Sequence, residues 1–135
     1  MEPSQLSLII RGAAVGEVAV EKQARLFTDK LLELYLALPD TPSRTSRHDR
    51  QLAFDLYNRN LSLETIEAAF LLGSARRIFR DPSYSPLAPI RSLHYFLPII
   101  QEVTATPLPK DYILYLRQKL ARHSPHKSSP PPLHG

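Results

Sequence analysis

Residues 62–80 read SLETIEAAFLLGSARRIFR, and this stretch decides the fold. Ser62 is a residue type that caps a helix N-terminus, and Glu64 falls in the first turn, where the helix dipole favours an acid. Ile66, Ala69, Phe70 and Gly73 recur at the three-and-four spacing of one helical face. Leu71, Leu72, Ala75, Ile78 and Phe79 then make the helix apolar nearly all round, which places it at the centre of a domain. Gly73 in its interior costs about 1 kcal/mol relative to alanine. A missing side chain there predicts the close approach of another helix.

Working upstream, Asn60 suits a left-handed residue just past a helix end. A second helix is predicted from near Ser43–Thr45 to about Arg59, with Leu52 over Leu56 and Ala53 over Tyr57. Before it, Pro39-Asp40-Thr41-Pro42 stops a helix running from about Val20 to Leu38. That helix carries Ala24, Phe27, Leu31, Leu34, Tyr35 and Leu38 on one face, widened by Leu32 and Leu36. Residues 1–18 have no dependable period and are expected to be flexible or ordered by a partner.

Downstream, residues 81–90 form a proline-punctuated loop, and Arg91–Ala105 is helical with Ser92 as candidate cap. Pro98 requires either a kink or a short turn followed by a helix starting at Leu97 or Pro98. A last helix covers about Lys110 to Arg122. The tail 124–135, with its run of prolines and serines, is expected to be disordered. The predicted architecture is all-α, a compact orthogonal bundle of about five helices, with one helical domain over residues 19–123.

Composition supports this and removes several functions. The chain has 135 residues, 43% hydrophobic and 22% charged, enough for one core. With no cysteine there is no disulfide, thiolate nucleophile or cysteine-based zinc site. Four glycines argue against a many-turned β-sandwich or a glycine-loop nucleotide fold. No apolar run reaches the roughly eighteen residues of a membrane span. Glu2 and Arg11 spoil a secretory signal at the N-terminus, so a cytoplasmic location is expected.

The net charge is +4, unevenly spread. Residues 41–80 hold seven arginines against four acids, and every base there is arginine, the side chain best shaped for planar contact with phosphate. Arg44, Arg47 and Arg50, beside His48, gather at the start of the second helix, where positive charge opposes the dipole. Arg76, Arg77 and Arg80 close the third. If the two helices run antiparallel, these ends form one basic patch, joined by Arg91, that binds phosphate backbone without reading sequence. The competing account has the three late arginines stabilising a helix C-terminus and pairing with Asp49, Asp55 or Asp81.

The second helix, the turn Asn60-Leu61-Ser62 and the third helix have helix–turn–helix spacing, with Leu61 packed between the helices. As a reading edge, Ser62, Glu64, Thr65, Glu67 and Ala68 set two carboxylates against phosphates, and an ordinary helical corner explains the spacing equally well. Tyr95 and Phe96, with Tyr112 and Tyr115, are either stacking groups for bases or core. No catalytic constellation is present. His123 and His126 sit in or beside the tail, His94 has no carboxylate at ligand spacing, and no glycine-rich phosphate loop occurs. An enzyme is not expected, and no metal, cofactor or small-molecule substrate is implied.

The segments Leu61-Ser62-Leu63-Glu64, Ala75-Arg76-Arg77 and Pro89-Ile90-Arg91-Ser92-Leu93-His94-Tyr95-Phe96, with Pro98 following, resemble small uncharacterised bacterial helix–turn–helix-like proteins of mobile genetic elements. The resemblance covers about a third of the chain. It implies a DNA-associated accessory role in replication or regulation, with Arg76, Arg77 and Arg91 carried over. The chain departs from that pattern in having no second DNA-reading module before residue 20, as a fragment of a longer ancestor would. The expected function is therefore non-enzymatic nucleic-acid binding through Arg44, Arg47, Arg50, Arg76, Arg77, Arg80 and Arg91. The alternative is a helical protein-interaction module, dimeric through Leu32, Leu36 and the apolar N-terminal segment. The candidate partners are thus DNA, a protein partner or a second copy, with no membrane.

Overall fold

A computed structural model describes the backbone of residues 3–123 and the side chains of residues 19–123. The backbone of residues 3–18 is helical and continuous with the first helix, whose start was expected near Val20; the tail 124–135, for which disorder was expected, and the side chains of 1–18 lie outside the described residues. The chain is an all-α bundle of α1 (Pro3–Leu36), α2 (Arg47–Asn58), α3 (Leu63–Ile78), a short 3-10 turn (Leu93–Phe96), α4 (Leu97–Ala105) and α5 (Lys110–His123). No described helix is long and apolar enough to cross a membrane.

The central position of α3 follows from its composition. Ile66 and every residue from Ala68 to Ala75 are buried, and α3 packs on α1, α4, α5 and the 3-10 turn. Phe70 is fully buried between two other fully buried rings, at 6.3 Å from Tyr35 and 5.0 Å from Phe96. Leu32 belongs to this same core and is not available for the dimer contact expected of it, while Leu36 packs against the core partly buried. Leu61 packs on the core from the corner between α2 and α3.

Local chemistry sets the boundaries. Ser46, rather than a residue near Ser43–Thr45, caps α2. Its hydroxyl accepts the Asp49 N–H at 3.1 Å while the Asp49 carboxylate accepts the Ser46 N–H at 2.9 Å, a reciprocal capping box. Asn60 ends α2 at φ 61°, the left-handed conformation asparagine tolerates. Ser62 caps α3 by accepting the Thr65 N–H. Pro98 sits at the start of α4, where its missing N–H costs nothing, and the preceding 3-10 turn absorbs the break; the helix does not kink. Ser92 begins that turn without a capping hydrogen bond from its side chain.

Gly73 faces the turn into α4. A Cβ there would stand 2.8 Å from Phe96 Cε1 and 2.8 Å from Ile99 Cδ1. The isoleucine tip can swing, but the Phe96 ring is locked against Tyr35 and Phe70. Gly73→Ala is therefore expected to cost about 1–2 kcal/mol, because overpacking outweighs the gain in helix propensity. A urea melt measures it, and a stabilised variant would contradict the packing.

Candidate nucleic-acid interface

The arginines divide into two groups with different surroundings. Those at the end of α3 are held by the chain itself. Arg76 forks onto Glu102 of α4 at 2.8 and 2.6 Å, and these hydrogen bonds hold the Glu102 carboxyl below the usual carboxylate range. The Arg77 side chain is only 6% exposed. It donates to Asp40 Oδ2 at 3.3 Å and to the Ala88 carbonyl at 2.9 Å, and lies 5.2 Å from the Tyr95 ring centroid. It ties the loop before the 3-10 turn to the connection after α1. Arg80 donates to the Ser85 carbonyl and lies over Tyr84. The pairing expected with Asp49, Asp55 or Asp81 is thus replaced by Glu102, Asp40 and loop carbonyls.

Asp49 cannot serve an arginine because it is buried and already used. Besides the capping box, its Oδ1 accepts the Leu93 N–H at 2.8 Å, which joins α2 to the 3-10 turn. The Tyr35 phenol lies buried in its field without a hydrogen-bond partner. Burial first, and the Asp49 charge second, push the Tyr35 pKa up. This buried polar junction joins α2 to the 3-10 turn in the interior.

Nor do α2 and α3 pack along each other, so no antiparallel pair brings Arg44, Arg47 and Arg50 beside Arg76, Arg77 and Arg80. α2 packs on α1 instead. There Arg47 and Arg50 meet Arg25 of α1 in an open groove of ≈ 390 Å³, lined also by Glu21, Thr28, Gln51 and Phe54. Arg50 reaches Asp29 at 3.0 Å with both side chains about half exposed, a geometry easily exchanged for another anion. Arg47 makes no ion pair among the described residues. Arg44, outside α2, and Arg91, in the loop, are exposed and likewise unpaired among them.

The helix–turn–helix edge fares differently. Ala68 is buried, Glu67 is half-buried and bonded to Arg117 of α5 at 3.3 Å, and Thr65 is half-buried. Such a helix cannot enter a DNA groove without unpacking the core. Of the aromatics, Phe96 is core, Tyr95 seats Arg77, and Tyr112 and Tyr115 stack in the open on α5 with centroids 6.0 Å apart.

Arg25 and Phe54 are the groove residues that sequence reasoning passed over. The signal for them is the small pair Ala24 and Thr28, four apart on α1 and both buried. Small buried residues on a helix mark where a neighbour crosses closely, and Arg25 flanks that crossing. Among the described residues, no cluster of His, Asp or Glu is placed to hold a metal ion. Set against known protein families, curated proteins and solved structures, the chain matches none.

The division of the arginines has a direct consequence for stability. Arg77→Gln is expected to lower it by about 2 kcal/mol, since charge-assisted hydrogen bonds of a buried side chain are lost. Arg44→Gln should leave it within about 0.5 kcal/mol. Equal effects in chemical denaturation would contradict the assignment of Arg77 to the fold.

Proposed function

We propose that this chain is a non-enzymatic nucleic-acid-binding protein, an accessory of replication or regulation, that holds backbone phosphates on its arginines. One observation carries the reading: Arg25, Arg47 and Arg50 line a single open groove at the start of α2. That end of the helix also carries the positive pole of its dipole, so the local field favours an anion. The arginines of the original set then separate by task. Arg47 and Arg50, with Arg44 nearby in sequence and Arg91 exposed, face solvent and serve binding. Arg76, Arg77 and Arg80 serve the fold, so two of the three positions implied by the mobile-element resemblance are taken out of the binding set.

Phosphate contact releases counterions, so binding must weaken steeply with salt. Anisotropy of labelled single-stranded and duplex DNA across a salt series tests this. Salt-dependent binding supports the reading, and no binding at low salt overturns it.

A second reading rests on a different surface. Tyr112, Leu114 and Tyr115 of α5, with Phe79 nearby, are large apolar side chains left exposed. They favour a protein-interaction module, which is the reading that remains if nucleic acid fails to bind. Sedimentation at low and high salt tests it, because an apolar self-association holds in both.

A further inference from the structure

The groove between α1 and α2 contains more than cations. Phe54 lines it and is 42% exposed, outside the hydrophobic core, with no aromatic neighbour among the described residues. An exposed ring on a helix otherwise rich in polar residues is not accounted for by packing among the described residues. Thr28 lines the same groove while only 3% exposed, and its hydroxyl has no hydrogen-bond partner. Gln51, whose Nε2 donates to Asp55 Oδ1 at 3.0 Å, keeps its amide oxygen as an acceptor. Cations, an open ring face, an unpartnered hydroxyl and an amide oxygen at one place match the parts of a nucleotide: phosphate, base and base edge.

Resting on the phosphate-binding reading above, we propose that this groove takes one nucleotide of an unpaired strand. Its base stacks on Phe54 and its flanking phosphates lie against Arg25, Arg47 and Arg50. A paired base has both faces covered by its neighbours in the helix and cannot reach Phe54, so single strands are preferred over duplex. The volume of ≈ 390 Å³ is at the small end of ligand sites, which suits a single unit rather than a run of bases. Among the described residues, Glu21 lines the rim and Asp29 holds Arg50, so an entering phosphate displaces that ion pair.

The test uses the full chain and three labelled probes of equal length: a thymidine strand, the same backbone without bases, and a duplex. Stacking one base predicts that the thymidine strand binds about tenfold more tightly than the abasic strand. Phe54→Ala should erase that difference and leave the salt slope unchanged. Adenosine monophosphate should bind far more weakly than the strand, since it supplies one phosphate where the strand supplies several. Equal, salt-dependent affinity for all three probes would overturn the nucleotide seat and leave phosphate binding standing. A mononucleotide as tight as the strand would overturn the strand as occupant. No binding of any probe would remove both this inference and the reading beneath it.

Discussion

Replacing Phe70 by alanine will cost about 3–5 kcal/mol, the range for truncating a buried aromatic in a core that cannot collapse around the gap. The ring is fully buried and contacts both Tyr35 of α1 and Phe96 of the 3-10 turn, so one truncation loosens three elements at once. Domains of this size hold only about 5–15 kcal/mol in total. Thermal denaturation followed by circular dichroism should show a fall in Tm of many degrees or no cooperative transition. A melt close to that of the parent protein would mean that α3 is not the centre of the bundle. Phe70→Leu, which refills much of the volume, should recover most of the loss.

Asp49→Ala comes next, at about 2–4 kcal/mol. The carboxylate accepts two backbone N–H groups, from Ser46 within its own helix end and from Leu93 across the bundle. Removing it forfeits the returning half of the capping box, the bond to the Ser46 N–H, worth about 1 kcal/mol, and strands the Leu93 donor in the interior, worth about 1–3 kcal/mol. Three variants separate the contributions. Ser46→Ala should cost only the cap. Asp49→Asn should fall between, because the amide retains one acceptor oxygen for two donors. If Asp49→Ala melts like Ser46→Ala, the link from α2 to the 3-10 turn contributes nothing.

The same two residues show what the sequence can and cannot reveal. Phe70 is legible because its helix announces itself through local period. Asn60, Ser62 and Pro98 are legible for a similar reason, since a left-handed residue, a cap and a missing N–H act within a few positions of chain. Gly73 even revealed an approach by a distant element, because glycine inside a helix has a cost that only a close neighbour explains.

Asp49 was readable only as one more acid among arginines, because its decisive partner is 44 residues away. Arg77 and Asp40 are 37 apart, and Arg76 and Glu102 are 26 apart. No periodicity reports such pairings. The binding groove was half legible for the same reason. Arg47 and Arg50 stood out against the helix dipole, whereas Arg25 and Phe54 acquire their meaning only when α1 crosses α2. Helices adjacent in sequence need not pack along each other; here α2 turns to α1 and leaves α3 to the other elements, which separates the two groups of arginines.

The salt dependence of single-strand binding in two sets of variants tests the account most directly. One replaces Arg25, Arg47 and Arg50 by glutamine, and the other replaces Arg76 and Arg80. Each phosphate contact on a single strand contributes about 0.7 to the slope of log affinity against log salt. The groove variant should lose roughly 2 from that slope with its fold intact by circular dichroism, and the second variant should keep the parent value. A loss of slope in the Arg76 and Arg80 variant with the groove variant unchanged would contradict the division of the arginines on which the account rests.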